Sequence, residues 1–186
     1  MSQDQAFKIS LAQYFDIDQM IAICEQNLVE NNREKFAAED FSKKGFLISR
    51  LTAFDAKKMI DDQKIFFVCV IKDGEEVLGY LTGCDVGECK TKFFEDVPSL
   101  EKIKNEKIFY HKQIVKKPNA TKIGKKLLFA MFDEAKNRGY SHVICRIVHA
   151  PFCNETSISF HEKFGFQKIG STEENGVILG VYLKTL

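Results

Sequence analysis

Between residues 119 and 126 the chain reads Asn-Ala-Thr-Lys-Ile-Gly-Lys-Lys and runs directly into Leu127-Leu128-Phe129-Ala130-Met131-Phe132. There Leu127, Leu128, Met131, Phe132 and Ala135 form the apolar stripe of a helix, with Gly139 at its end. First-turn N–H groups of a helix have no partner inside it, and the aligned peptide dipoles leave partial positive charge there. Ala120 and Gly124 leave the backbone accessible, while Lys122, Lys125 and Lys126 add three cations at the same end. Those cations oppose the dipole, at about 0.3–1 kcal/mol each on an exposed surface. A bound polyphosphate removes that cost, so this is a candidate diphosphate site. A plain loop with solvated lysines has the same composition, and the segment alone leaves both readings open.

A second run decides between them: Asn154-Glu155-Thr156-Ser157-Ile158-Ser159-Phe160-His161-Glu162-Lys163-Phe164-Gly165-Phe166. It closely resembles the N-x-x-[AS]-x-x-[FL]-Y-x-K-x-G-F signature that ends the second conserved motif of GNAT acyltransferases. Only the Tyr is exchanged, for His161. The 119–124 segment is similar to that family's acetyl-CoA loop, [RQ]-x-x-G-x-[GA]. Asn119 stands for Arg/Gln, Lys122 for the middle Gly, and Gly124 is kept. The hairpin VIKDGEEVLGYLTG and the N-terminal strand–helix unit are similar too, so the resemblance leaves out little beyond residues 85–106.

The resemblance implies an α/β (α+β) GNAT fold, its mixed, mostly antiparallel sheet splayed between the fourth and fifth strands and flanked by helices. It implies a single domain over 1–186, with a family-atypical insertion at about 85–106. The activity implied is transfer of an acetyl group from acetyl-CoA to a primary amine, on a small molecule or a peptide, by direct attack without an acyl-enzyme. Backbone at Ile114 and Val115 would meet the pantetheine arm. The loop Asn119, Ala120, Thr121, Lys122, Ile123, Gly124 and Lys125 would hold the pyrophosphate, mainly through the amides of 121–125. Asn154, with Ser157 in the same motif, would hydrogen-bond the pantetheine, and His161 would sit near the thioester sulfur. A middle Gly adopts angles that Lys122 tolerates poorly. The exchanges at Asn119, Lys122 and His161 keep an alternative open: a catalytically degenerate acyl-CoA-binding regulatory module.

Magnitudes rank the catalytic needs. A thiol of pKa ~8.5 leaves with modest protonation help, whereas an alkylammonium of pKa ~10.4 is free base to about one part in 2,500 at pH 7, costing roughly 4.6 kcal/mol. His161 can donate a proton near neutrality, which makes it the candidate acid; packing alone is the other reading. Along Ile108–Val115, alternation groups Ile108, Tyr110 and Lys112 on one face and Phe109, His111 and Gln113 on the other. The Tyr110 set faces the cleft and contains no carboxylate, so the amine's proton leaves through water at Tyr110. His111 becomes a candidate base only if a bulge shifts the register. The acceptor would lie among the first helices, the Gly45 segment and the 85–106 insertion. There Glu30, Glu34, Glu39 and Asp40 could attract a cation, and Phe36, Phe41 and Tyr80 could line an apolar part.

The elements that must position these groups can be read in order. Phe7–Leu11 begins a strand, and Ile17, Met20, Ile21, Cys24 and Leu28 mark an amphipathic helix. FLISRL after Gly45 reads as extended and 55–62 as a short helix. IFFVCVI and VLGYLTGC form a hairpin about Asp73-Gly74, with Gly79 and Gly83 permitting a bulge or close approach. IFYHKQIV, YSHVICRIV and a final strand pair complete the sheet, and SISFHEKF is a helix capped by Asn154 or Thr156.

Composition bounds the rest. In 186 residues, 45% hydrophobic content and a net charge of +1 exclude general disorder and argue against a nucleic-acid partner. No apolar run is long enough for a bilayer, and the N-terminus has no signal-peptide pattern, so a cytoplasmic protein without membrane partner, monomer or homodimer, is expected. Six cysteines show no CxxC and no zinc spacing. No metal and no disulfide framework are expected, and Cys69 and Cys145 read as small buried hydrophobes.

Overall fold

The structure is a computed structural model describing residues 7–32, 45–89 and 93–186. Its elements, in chain order, are β1 (Lys8–Leu11), α1 (Ile17–Asn27), α2 (Val29–Asn32), α3 (Ala53–Asp61), β2 (Phe66–Asp73) and β3 (Glu76–Asp85). Then come α4 (Phe93–Asp96), β4 (Ile108–Lys116), α5 (Ile123–Asn137), β5 (His142–Ala150), α6 (Glu155–Lys163), β6 (Gln167–Glu174) and β7 (Val177–Thr185).

Local chemistry explains the boundaries. Gly74 takes φ +60 in the β2–β3 turn, a left-handed angle that carries no Cβ penalty in glycine. Thr52 caps α3 by accepting from the Asp55 N–H at 3.1 Å. Asn154 does the same for Ser157 at the start of α6. Gly139 and Gly165 take φ +78 and +86 just past α5 and α6, ending both helices.

The strands form one seven-stranded sheet in the order β1-β2-β3-β4-β5-β7-β6. Every neighbouring pair is antiparallel except β4–β5. α5 covers one face, burying Ile123, Leu127, Leu128, Met131 and Phe132 against Cys69, Leu81, Phe109 and Val143. α6 lies on this face too, joined to α5 through the Phe129–Phe164 ring pair. On the opposite face α1 and α3 cover Val68, Val70, Tyr80 and Val115. Farther along it, residues from the 85–106 segment, Val97 and Leu100, bury Cys84, Ile108, Tyr110, Ile144 and Val181.

FLISRL does not form a strand; one isolated parallel bridge, Leu28 to Leu47, anchors it, and Leu51 turns into the α1–α3 core. The described residues of 85–106 include a 3-10 turn at Val86–Glu88, α4 and a 3-10 helix at Pro98–Ile103. This segment leans on the far edge of the sheet: Ser99 Oγ donates to the Ile169 carbonyl at 3.0 Å, and Val97 fills the space where Gly170 lacks a Cβ. Among the described residues no helix is long and apolar enough to cross a membrane.

Candidate functional site

β4 and β5 pair in parallel only over Ile108–His111 against His142–Cys145. Each strand then continues, to Lys116 and Ala150, with no further pairing between them. The sheet therefore opens into a V with His111 and Cys145 at its apex. On its inner edges the Lys116 carbonyl accepts from Asn27 Nδ2 at 3.2 Å and the Val148 carbonyl from the Asn154 N–H at 3.0 Å, and the backbone between can bond an extended ligand as a strand would. Lys117 donates to the Leu78 carbonyl at 2.8 Å. Because antiparallel pairs alternate, Val115 is the bonded partner of Tyr80, and Ile114 turns its N–H and C=O to the open side. Of the two backbone positions expected at the pantetheine, Ile114 faces the gap and Val115 is committed to β3.

A bulge lies where the V begins. Thr82 pairs with Gln113 but Gly83 pairs with His111, which leaves Lys112 without a partner. Gly83 is required here, since a Cβ would come within 2.4 Å of the Phe109 ring. The extra residue overturns strict alternation along β4. Phe109 and His111 point toward α5 and α6, whereas Gln113 accepts from Tyr80 Oη at 3.2 Å and donates to the Ser49 carbonyl at 2.8 Å on the other face.

At the loop into α5, the Ala120 N–H bonds the Lys117 carbonyl. Among the described residues nothing accepts from the amides of Thr121, Lys122, Ile123, Gly124 and Lys125. The first turn holds no acidic residue and no side chain caps it. Lys122 sits at φ +61, the left-handed angle its place in the loop implied. Asn119 and Thr121 are exposed, and with Pro118 and Ala120 they line a groove of about 640 Å³ that reaches Leu78 and Phe7. These unbonded amides, beside the V and among lysines, could hold a diphosphate, with Asp73 and Glu76 also in the groove's lining.

α6 brings its motif to the other wall. His161, 3% exposed, packs between Phe160 and Phe166 and faces His111 with ring centroids 5.5 Å apart. Its Nδ1–H donates to the Ser157 carbonyl at 2.7 Å, so Nε2 carries the lone pair, and that atom is buried without a partner. Burial pushes the imidazole down to about 4. At pH 7 it is protonated to only about one part in a thousand, so the donor role expected of it gives way to an acceptor. Burial, and then the charge of His161, push His111 well below the ordinary histidine range. Asn154 is not turned to the gap: Oδ1 caps α6, and Nδ2 donates to the Phe46 carbonyl at 3.0 Å. Ser157 is half-buried beside His161.

Tyr110 occupies the opposite face. Its hydroxyl accepts from Arg146 Nε at 3.3 Å, and Arg146 Nη1 pairs with Glu174 at 2.7 Å. Burial raises the phenol, with Arg146 opposing, so the hydroxyl keeps its proton. Tyr110 and His161 thus flank the V from opposite faces. Arg146, the first β5 residue past the pairing, and Glu174 were not singled out in the sequence, because a contact between β4, β5 and β6 leaves no local pattern.

The acceptor-side expectations fare differently. Tyr80 is fully buried and hydrogen-bonded to Gln113 beneath α1, so it is a core residue and lines no site. Phe36, Phe41, Glu34, Glu39 and Asp40 lie outside the described residues. Glu30 is exposed on α2. Among the described residues no group of three His, Cys, Asp or Glu could hold a metal ion.

Residues 27–166 match the acetyltransferase (GNAT) family, and the chain belongs to that family. No curated protein matches it. Solved structures share its fold. An N-acetyltransferase from Staphylococcus aureus Mu50 is 20% identical, over 96% of this chain and 98% of that one, at a TM-score of 0.62. The PaiA N-acetyltransferase from Thermoplasma acidophilum, in complex with coenzyme A, is 12% identical over 97% and 99%, at 0.65. A ribosomal-protein-alanine N-acetyltransferase from Brucella melitensis is 20% identical over 96% and 99%, at 0.63.

Proposed function

We propose that the protein transfers an acetyl group from acetyl-CoA to a primary amine. One observation carries this reading: unbonded amides at the start of α5 stand beside a V whose inner edge offers the backbone of Ile114. The amides of 121–125 hold the diphosphate, with Lys122, Lys125 and Lys126 adding charge. The Ile114 N–H and C=O receive the pantetheine, and backbone N–H at this edge polarises the thioester carbonyl.

The amine arrives from the Tyr110 face and attacks the carbonyl directly. Its proton passes to water held at the Tyr110 hydroxyl, whose own hydrogen is retained and whose oxygen is oriented by Arg146. Coenzyme A leaves as a thiolate and takes its proton from water, and the resulting S–H donates to His161 Nε2. No acyl-enzyme forms: Cys145, at the apex, is buried and its thiol is pushed up, so it supplies no thiolate.

The test is release of coenzyme A thiol with a panel of small amines, polyamines and lysine peptides. Turnover with at least one amine is expected. Binding of acetyl-CoA without turnover on any of them would replace this reading with the acyl-CoA-binding module, which the neutral His161 favours.

A further inference from the structure

Two thiols on the amine side lie outside the machinery described so far. Cys84 ends the apolar part of β3, 6% exposed, and pairs in register with Tyr110. Cys89 follows the 3-10 turn at Val86–Glu88 and is only partly buried. That turn folds back tightly: Asp85 Oδ1 accepts from the Gly87 N–H at 2.8 Å, and the Cys89 N–H donates to the Val86 carbonyl at 3.1 Å. The outcome is a Cys84 Sγ–Cys89 Sγ contact of 3.3 Å, with Cys89 Sγ also 3.6 Å from the Asp85 carbonyl.

We infer that Cys84 and Cys89 form an oxidisable dithiol, a modification site on the amine-facing wall that a hydroperoxide converts to a disulfide. The hydrogen bond from Cys89 lowers the Cys84 thiol against the opposing effect of burial, with the charge of Lys112 helping, and makes it the nucleophile, while Cys89 is raised. The Cys84 thiolate attacks the peroxide oxygen, the O–O bond breaks, and a sulfenic acid forms as water or alcohol leaves. Cys89 sulfur then attacks the sulfenic sulfur, forming S–S and releasing water. Two thiols lose two electrons and two protons, and the peroxide is reduced by the same two electrons.

Three of the other four cysteines are built differently. Cys69 and Cys145 are buried with raised thiols, and Cys24 receives the Leu51 N–H in the core. Bond formation draws the sulfurs from 3.3 Å to ~2.05 Å and ties the start of the 85–106 segment to the strand that pairs with Tyr110. The expected consequence is a changed amine site with the acetyl-CoA site untouched, and this consequence rests on the transferase reading.

The experiment treats the reduced full-length protein with hydrogen peroxide, alkylates the remaining thiols and maps the peptides by mass. A cross-link lighter by two hydrogens between Cys84 and Cys89 is expected, reversed by a phosphine and absent in Cys89→Ser. Sulfinic acid at Cys84 without a cross-link, or pairing of either sulfur with Cys153, overturns the site. On the oxidised protein, KM for the amine should rise several-fold with KM for acetyl-CoA unchanged. An unchanged amine KM overturns the coupling. The mass map needs no turnover, so it decides the dithiol even if no amine is acetylated.

Discussion

The two walls of the V are made of different material. On the α5–α6 side the groups available to a ligand are main-chain amides, an Ile114 peptide edge and two neutral imidazoles in an aromatic setting. On the other side they are side chains: a buried phenol, a guanidinium paired with a carboxylate, and two thiols. Backbone amides bind whatever side chain they carry. This is how the loop tolerates Asn119 and Lys122 where the family has other residues and still presents its N–H groups. Side chains are what sequence changes replace, so on the transferase reading recognition of the amine would rest on the groups that substitution can alter.

The largest effect that would sharpen this contrast concerns protons. His161 has a folded pKa of about 4, below its unfolded value, so between those values the unfolded chain binds more protons. The contribution is complete above pH ~6.5 and is lost as pH falls toward 4, amounting to about 3 kcal/mol for this residue, with His111 adding in the same direction. Urea unfolding at pH 7.5 and 5 should show the loss, and His161→Phe should flatten it. An equal loss in the variant would place the proton-averse groups elsewhere.

Gly124→Asp comes next. Its Cβ meets the Phe160 ring at 3.4 Å and its carboxylate faces the diphosphate, while an acid in the first turn suits the helix itself. KM for acetyl-CoA should rise about thirtyfold, roughly 2 kcal/mol, with urea stability held. Unchanged KM would break the assignment of the amides to the carrier.

Tyr110→Phe tests the other wall. Its kcat should fall about tenfold, and the acid limb of the pH–rate profile should move to higher pH, with KM for acetyl-CoA unaltered. A superimposable profile would remove Tyr110 from the proton route.

Lys122→Gly is the smallest change. It relieves the left-handed angle at φ +61, worth ~1 kcal/mol, against the greater chain entropy of glycine, and should raise stability by about 0.5 kcal/mol. Acetyl-CoA KM should stay within about twofold, since the amide is retained.

Much of the donor wall was legible because its signals are local. The 154–166 motif, the stripe from Leu127 to Ala135 and the angle of Lys122 are each set within a few residues. Other features needed partners distant in sequence. At the Lys112 bulge the Phe109 ring takes the space over Gly83, and only the glycine hinted at it. Tyr80 looked like a site residue until Gln113, thirty-three residues away, took its hydroxyl. The polarity of His161 turns on one Ser157 carbonyl, four residues back, which composition does not reveal. Arg146 with Tyr110 and Glu174 joins three strands, and no periodicity announces it.

The short β4–β5 pairing has a mechanical consequence. β1–β4 and β5–β7 share four rungs at one end, so the sheet is two panels joined there. On the transferase reading a carrier lying between them would supply rungs that the chain lacks. Amide exchange at Ile114 and along Arg146–Ala150 should slow when acetyl-CoA binds, and the panels should then open as one body.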